Sequence, residues 1–404
     1  MAVTLDPFGE EFIKLALRAA EHHPILKAVY LGPQEWLDDA RRDRGDIASL
    51  AASAHELAER AKSKGDHYVA GECRAIATQL EVLSGRSVPY DELVGELLGV
   101  RFVPPSRDDV ASLRAEVLEL ASKLTGNHGP EAVQDWERLN SVTGEAKWDA
   151  ALDAYRLGRR FAFGGTFPLE ITEGVDLIRV TDELWSVNLS WYPPTRLTFE
   201  VNVATPRTAA TTAFEVAHNI YPGDYLHVAA LTQLTYGRHG QLPASIKLKN
   251  APENVIAEGI EETAYMRLLD EPSLEQLLAC RLEWLRRAAS INGALACRLE
   301  GASNDATVKA MMAEGFMDEG RARFQLRHIQ HPLWGTYQFS YWAGRKLVET
   351  GEDRARKAGR EREFLEYLYT ALHVPDTFLT GLDRILDAGA LVPGGGGKNA
   401  ADGG

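Results

Sequence analysis

Residues 211–227 read TTAFEVAHNIYPGDYLH, a stretch that carries one glutamate, two histidines and one aspartate around a Pro-Gly pair. Its first half has the spacing of a helix, and it follows two runs rich in β-branched and aromatic residues. A second helical run, ENVIAEGIEETAY, occupies residues 253–265 and is strongly acidic. Histidine and carboxylate side chains are common metal ligands in proteins. The two runs therefore predict the functional centre, and the other helices are expected to surround it.

The first run has two interpretations. A zinc-peptidase helix usually reads His-Glu-x-x-His, in which histidines one turn apart bind the metal and the glutamate activates water. In one interpretation, residues 214–218 form a degenerate version of this motif, with Phe214 in place of the first histidine. In the other, His218 begins and Asp224 ends a longer pattern, His-Glu-x-x-Pro-Gly-His. Positions 218 and 224 face opposite sides of a straight helix, so the Pro-Gly pair must bend the chain.

The second interpretation resembles a family of mostly helical bacterial zinc-peptidase-like proteins that are related to thermostable carboxypeptidases. Residues 218–224, HNIYPGD, stand where that family has His-Glu-x-x-Pro-Gly-His, and residues 258–260, EGI, stand where it has Glu-Gly-Trp. The segment PLWGTYQFSYWAGR, at 332–345, is similar to a late segment of the family that contains proline and tyrosine. The anchors occur in the family's order over about residues 85–387, and each of them is altered.

The resemblance implies a divalent metal held by His218, Asp224 and Glu258, with His227 as an alternative to Asp224. One imidazole and two carboxylates form a harder ligand set than the family's, so Mn, Fe or Mg competes with zinc. The same residues also fit ordinary roles. His218 is consistent with a hydrogen-bonded core histidine, and the glutamates of 258–262 are consistent with a solvated acidic face.

The general base of the family is missing. Asn219 stands at its position, and an amide lacks the necessary basicity. Glu215 and Glu262 each lie one helical turn from an expected ligand and are the candidate substitutes. The resemblance implies that Tyr341 donates to an oxyanion, and Arg345, one turn further on, is expected to clamp a substrate carboxylate.

These features predict a divergent, metal-dependent, hydrolase-like enzyme rather than an ordinary peptidase. Its partner would be a small molecule or short peptide, in particular one that carries a carboxylate. The alternative is a catalytically inactive pseudo-peptidase with a binding or scaffolding role. The Glu-x-x-His pair at 215–218 also occurs in di-iron proteins, but the sequence offers no second pair on a plausible partner helix.

Periodicity along the chain predicts a mainly α-helical fold with a small antiparallel β-sheet before the motif helix. The expected strands lie in VDLIRV, ELWSVNLSW and RLTFEVNVA, between residues 175 and 204. Residues 1–160 are predicted to form an N-terminal helical region and residues 161–390 the metallopeptidase-like core. Residues 391–404 are predicted to be a disordered, Gly-rich tail.

Charge and composition exclude several partners. The net charge is −14 and the pI is about 5.3, which disfavours nucleic acids and anionic membranes. Three scattered cysteines are too few for a disulfide framework. The sequence has no apolar run of membrane-spanning length and does not begin with a secretion-signal pattern, so we expect a cytoplasmic protein.

Overall fold

The structure, a computed structural model, describes residues 7–26, 29–183 and 185–388. Helices form most of this part of the chain, which confirms the mainly α-helical prediction. The predicted tail at 391–404 lies outside the described residues. The helices are α1 (Pro7–Ala20), α2 (Gln34–Arg42), α3 (Ile47–Ser63), α4 (His67–Leu83), α5 (Tyr90–Leu98), α6 (Arg107–Thr125), α7 (Pro130–Asn140), α8 (Gly144–Phe163), α9 (Ala209–Asn219), α10 (Asp224–Ala230), α11 (Pro252–Arg267), α12 (Leu274–Arg298), α13 (Asn304–Gly315), α14 (Glu319–Gln330), α15 (Gln338–Ala358), α16 (Glu361–Thr370) and α17 (Pro375–Ala388). The strands are β1 (Val29–Tyr30), β2 (Ser141–Val142), β3 (Val175–Val180), β4 (Val187–Tyr192), β5 (Arg196–Asn202), β6 (Arg207–Thr208) and β7 (Ile246–Lys247).

Local capping residues explain where several helices begin and end. Ser106 accepts a hydrogen bond from the backbone N–H of Asp109, and the Asp109 side chain accepts one from the backbone of Ser106. This reciprocal capping box satisfies two N–H groups that have no partner within the helix. Gly126 ends the same helix in the left-handed region, where glycine is favoured. This capping box therefore fixes the start of α6.

The small sheet before α9 is mixed, which corrects the antiparallel prediction. β4 and β5 pair antiparallel across the short connection at 193–195. β3 pairs parallel with β5, with Val175 opposite Leu197. The order is β3-β5-β4, so β3 and β4 lie on opposite sides of β5. Alternation in the sequence indicates which residues form strands, but it does not fix their order.

The Pro-Gly pair bends the chain as predicted. α9 ends at Asn219 and α10 begins at Asp224, with residues 220–223 between them. A Cβ atom at Gly223 would lie 1.7 Å from the carbonyl oxygen of His218. Only a residue without a side chain permits this close return of the chain. The glycine of the motif is therefore required by the backbone path itself.

Helices α11 and α15 approach each other closely through two glycines. A Cβ atom at Gly344 would lie 1.8 Å from the carbonyl oxygen of Val255, and one at Gly259 would lie 2.3 Å from the carbonyl oxygen of Gly344. The contact brings the N-terminal end of α15 against the glutamates of α11. Both glycines belong to the motifs that carry the family resemblance, and the structure gives them a packing role.

Two apolar cores hold the described part of the chain together. The first contains side chains from α1 to α7 and from α12 to α14, and the second combines the three-stranded sheet with α8, α10 and α15–α17. Both cores take residues from before and after residue 160, so they do not divide at the expected domain boundary. In the described ranges, no helix is long and apolar enough to cross a membrane.

Candidate metal centre

Helix α11 lies between the two cores. Val255 packs in the first core and Ile256 in the second. As a result its glutamates are buried: Glu258 is 4% exposed, Glu261 5% and Glu262 1%. The interpretation of these residues as a solvated acidic face is therefore wrong. Buried carboxylates carry a large desolvation cost unless cations compensate them.

His218 faces these carboxylates from the last turn of α9. Its Nε2 atom lies 3.2 Å from Glu261 Oε2 and 3.8 Å from Glu258 Oε2, and its Nδ1 atom lies 3.5 Å from Glu262 Oε1. One ligand atom from each of His218, Glu258 and Glu261 falls within a group whose members are no more than 4.8 Å apart. The structure thus brings together two of the predicted ligands, His218 and Glu258, and adds Glu261.

Asp224, the third predicted ligand, has a different neighbour. Lys247 of β7 places its Nζ atom 2.6 Å from Asp224 Oδ1 and 3.1 Å from Glu261 Oε1. The lysine and aspartate side chains are each 14% exposed. Asp224 is therefore linked to the His218 group through Lys247. Glu261 replaces Asp224 as the third candidate ligand beside His218.

The buried charges shift the pKa values of the group in opposite directions. Burial acts to lower the pKa of His218, but Glu261, Glu262 and Glu258 outweigh it and raise the pKa to about 9. Burial raises the pKa of Glu258 to about 8, and the charge of Glu261 adds to the increase. Burial also acts to raise the pKa of Glu261, but Lys247 and His218 overcome it and lower the pKa to about 2. With only protein charges present, the group therefore keeps His218 and Glu258 protonated at neutral pH.

Glu262 connects His218 to a buried arginine. Its Oε1 atom, 3.5 Å from His218 Nδ1, also accepts a hydrogen bond of 3.3 Å from Arg287 Nη2. The guanidinium of Arg287 lies 3.7 Å from the ring centroid of Tyr341, and that ring lies 6.2 Å from the ring of His218. Tyr341 is thus close to the histidine, as predicted, and its ring face positions the arginine.

Tyr337, which immediately precedes α15, contacts a candidate ligand directly. Its hydroxyl donates a hydrogen bond of 2.5 Å to Glu258 Oε1. The other oxygen, Glu258 Oε2, is buried and has no hydrogen-bond partner among the described residues. This oxygen is the one that faces His218 Nε2. The tyrosine therefore holds the carboxylate with its free oxygen directed at the histidine.

A cleft of about 910 Å³ reaches this group from the surface, and Glu215, His218 and Asn219 line it. Asn219 Nδ2 donates a hydrogen bond of 2.7 Å to the backbone oxygen of Glu215, so the amide that replaces the family's base binds its own helix. The Glu215 carboxylate lies 3.3 Å from Arg207 Nε and accepts a hydrogen bond of 3.1 Å from Ser186. Glu215 is partly exposed in the cleft and remains accessible to a bound molecule.

Arg345 lies outside this cleft. It pairs with Glu349 at 3.0 Å, and its guanidinium lies 4.2 Å from the ring centroid of Trp284. It lines a separate cavity of about 690 Å³. The structure therefore does not bring Arg345 to the group around His218.

His227 is also separate from the group. It is 1% exposed, and its ring lies 6.2 Å from that of Tyr369. Neither ring nitrogen has a hydrogen-bond partner in the described part of the chain. Burial lowers the pKa of His227 well below its usual value. The side chain is accordingly a neutral, buried imidazole.

Four residues enter the site without having been singled out in the sequence as functional. Glu261 had a usable signal, because it lies one turn from Glu258 on the same helix. Tyr337 lies one turn before Tyr341 in the same late segment. Lys247 and Arg287 have no local pattern that distinguishes them from surface cations. Only the fold brings these two to the acidic helix.

The charges of the group fit a divalent cation. Its ion pairs join four carboxylates to two permanent cations, namely Asp224, Glu258, Glu261 and Glu262 to Lys247 and Arg287. A divalent ion that displaced the protons of His218 and Glu258 would replace two positive charges with two, so the total charge of the group would not change. The partnerless oxygen of Glu258 and the Nε2 atom of His218 face the same point. Imidazole and carboxylate donors suit zinc, manganese and iron.

The fold and the site define a mainly α-helical protein whose central buried helix holds three glutamates against a histidine at the end of a cleft. No family model matches the chain, and no curated protein matches it. Solved structures with a similar fold include a candidate lipoprotein from Colwellia psychrerythraea, with 14% identity, a TM-score of 0.60 and coverage of 88% of this chain and 72% of that one. Another is a candidate lipoprotein of unknown function from Shewanella oneidensis, with 12% identity, a TM-score of 0.55 and coverage of 93% and 73%. At these identities the similarity concerns the fold alone.

Proposed function

We propose that the protein is a divergent metal-dependent enzyme of the hydrolase type that acts on a small molecule or short peptide carrying a carboxylate. The observation that carries the proposal is the buried group of His218, Glu258 and Glu261, whose ligand atoms lie within 4.8 Å of one another. A divalent cation that displaced the protons of His218 and Glu258 would keep the total charge of the group, and Glu258 Oε2 lacks another partner among the described residues. The proposed ligand set therefore replaces Asp224 with Glu261.

A divalent ion held there would polarise a substrate carbonyl and favour attack by water. The protein side chains would do the remaining work. Glu262 Oε1 lies 3.5 Å from His218 Nδ1, on the side of the ring away from Glu258 and Glu261, a place that carboxylates commonly occupy behind metal-bound histidines. Tyr337 fixes the orientation of Glu258. Tyr341 lies beside His218 and is the candidate donor to a developing negative charge.

The proposed general base is Glu215. It lies one turn before His218 on α9, is partly exposed in the cleft and contacts Arg207 and Ser186. Glu262, the other candidate from the sequence, is 1% exposed and faces Arg287 and His218. A base must reach a water molecule in the cleft, and this requirement favours Glu215.

Elemental analysis tests the metal directly. Protein purified without chelators is expected to contain about one equivalent of zinc, manganese or iron, and His218→Ala is expected to lose it. Protein that folds but contains no stoichiometric metal, and takes none up on dialysis against zinc or manganese, would contradict the proposal. If metal binds, a library of short peptides, N-acyl amino acids and small esters then tests hydrolysis with Glu215→Gln as the comparison.

A second candidate function is a pseudo-peptidase that binds ligands without catalysis. The observation in its favour is the contact of Lys247 with both Asp224 and Glu261, because a lysine there already compensates part of the negative charge. The amide of Asn219, bound to its own helix, also removes the usual base. This function predicts metal-free protein in which Lys247→Met, rather than chelation, destabilises the fold.

We also propose a cytoplasmic location. Cys73, Cys280 and Cys297 are all free, as is usual in a reducing compartment. The structural neighbours are described as candidate lipoproteins, so the cell envelope is the alternative location that an experiment must address. Fractionation of the native host with an antibody against the protein separates the two locations.

A further inference from the structure

Helices α12 and α14 contribute three of the arginines that line the cleft, and two of these three are already engaged. Arg286 contacts Glu137 at 2.8 Å and Glu283 at 2.9 Å. Arg321 donates a hydrogen bond of 3.1 Å to the same Glu283. Their guanidinium groups are therefore bound to carboxylates of the protein. The third arginine, Arg287, differs from both.

Arg287 has a single, long hydrogen bond to a carboxylate, from Nη2 to Glu262 Oε1 at 3.3 Å. Its Nε atom has no partner among the described residues. The Tyr341 ring, 3.7 Å away, fixes the position of the guanidinium without using its hydrogen-bond donors. The side chain lines the cleft and is 17% exposed. A planar guanidinium that is held in place with unused donors is suited to bind an incoming carboxylate through two hydrogen bonds.

The same cleft has an apolar wall. Its members, drawn from four separate segments, are Trp185, Phe214, Phe316, Met317 and Phe324. Phe324 is 46% exposed, and the ring of Phe214 lies 5.9 Å from that of His218. Phe214, Phe316 and Met317 are buried, so the exposed Phe324 and the partly exposed Trp185 are the side chains that can contact the apolar part of a ligand. A volume of about 910 Å³ accommodates a molecule of drug-like size.

We infer that Arg287 binds the carboxylate of the substrate, and that the ligand is an apolar molecule with one carboxylate, of the size of an N-acylated aromatic amino acid. The inference builds on the proposed function in taking this cleft as the active site, but recognition of the anion itself needs no metal. It also reassigns the role that the sequence suggested for Arg345, which lines the other cavity. The carboxylate would replace the weak contact with Glu262 as the main partner of Arg287.

The test is calorimetric titration of the full chain with N-acetylphenylalanine and with its neutral amide. The acid is expected to bind at least about tenfold more tightly than the amide, since a charged hydrogen-bonded pair contributes that much. Arg287→Met is expected to remove this preference. Arg287→Lys keeps a cation beside Glu262 but lacks the planar pair of donors, and it is expected to weaken binding of the acid by about tenfold. Arg281→Met is the matched control, because Arg281 lies on the same helix, stacks on Trp284 at 4.5 Å and faces the other cavity.

Each titration is repeated after treatment with EDTA. Preference for the acid that survives chelation and is lost in both folded Arg287 variants supports the inference, even if elemental analysis finds no metal. Equal binding of acid and amide, no measurable binding of the acid by the unaltered protein, or unchanged binding in Arg287→Lys would overturn it. A metal-containing protein with any of these results would leave the proposed metal centre intact and refute the anion site alone.

Discussion

Lys247 Nζ lies 2.6 Å from Asp224 Oδ1, and this contact separates the aspartate from the carboxylates that face His218. The lysine also contacts Glu261 Oε1 at 3.1 Å, which leaves Glu261 Oε2 directed at His218 Nε2. Asp224, a carboxylate of the expected motif, thus neutralises a buried lysine, while Glu261 takes the position of the third ligand. His218 and Glu258 belong to both possible ligand sets, and the third ligand is either Asp224 or Glu261. Substitution of each of these two residues distinguishes the two sets.

Glu261→Gln is expected to lower metal affinity by about a hundredfold or more, because a neutral amide is a poor ligand and the charge balance is lost. Asp224→Asn is expected to keep the metal stoichiometry and lower the affinity by only about tenfold, as for a residue behind the ligands. Competition with a fluorescent chelator measures both. Equal loss of metal in the two variants would instead identify Asp224 as a ligand.

Tyr337→Phe tests the orientation of Glu258. The variant removes the hydrogen bond to Glu258 Oε1 and leaves that oxygen only a long hydrogen bond of 3.4 Å from Asn254 Nδ2, while Oε2 still has no partner among the described residues. We expect the free energy of unfolding of the metal-free protein to fall by about 1–3 kcal/mol. Metal affinity is expected to fall by about ten- to a hundredfold. Urea unfolding and chelator competition provide the two measurements.

Tyr341→Phe is the control for stability. The variant keeps the ring that contacts Arg287. The hydroxyl group that it removes makes no hydrogen bond seen among the described residues. A smaller change than in Tyr337→Phe is therefore expected. If both variants lose the same stability, the contact between Tyr337 and Glu258 does not have the structural importance assigned to it.

The helices around the site were predictable from sequence because their signals are local. Apolar periodicity, the capping box at residue 106 and the Pro-Gly bend at 222–223 all depend on residues close together in the chain. His218 and Glu258 were found in the same way, through motifs on single helices. The parallel strand pair was not predicted, because the order of strands in a sheet depends on long-range pairing rather than on a local pattern.

The remaining site residues could not be predicted, because long-range packing places them. Lys247 comes from a two-residue strand and Arg287 from the middle of α12, and no spacing rule connects either to α11. Arg345 illustrates the opposite error. It follows Tyr341 by one turn on the same face of α15, yet its side chain lies against Trp284 and Glu349 and lines a different cavity.

Gly344→Ala tests whether the close approach of α11 and α15 is required. The new Cβ atom would lie 1.8 Å from the carbonyl oxygen of Val255, so the two helices must separate. We expect a loss of about 1–3 kcal/mol in the free energy of unfolding, or more if the separation spreads. Metal affinity is expected to fall as well, since Tyr337 would move away from Glu258.

The matched control for this prediction is Gly95→Ala in α5. There the nearest atom, the carbonyl oxygen of Val100, would be 3.6 Å from the new Cβ, an ordinary contact. Alanine is favoured over glycine within helices, so stability is expected to stay constant or to rise by up to about 1 kcal/mol. Similar unfolding midpoints for the two variants would show that the helices can separate without cost.

The pH dependence of stability on the acidic side is expected to depend on His373. This side chain is 3% exposed, and its Nε2 atom lies 3.0 Å from the carbonyl oxygen of Tyr367. Burial lowers the pKa of His373 from 6.5 to about 4. Between these values the unfolded chain binds a proton at this histidine and the folded chain does not. The contribution to stability is therefore fully present above pH 6.5 and is lost as the pH falls towards 4.

Urea unfolding of the metal-free protein at several pH values between 7.5 and 4 measures this loss, which is expected to be on the order of 2–3 kcal/mol from this residue. His373→Gln retains a donor for the Tyr367 carbonyl but cannot titrate, so its stability should fall less steeply over the same range. His239→Gln, at an exposed position, should follow the unaltered protein. The free energy of unfolding could instead fall with pH at the same rate in His373→Gln and in the unaltered protein. That result would show that His373 titrates alike in the folded and unfolded chains, and that its burial does not control acid stability.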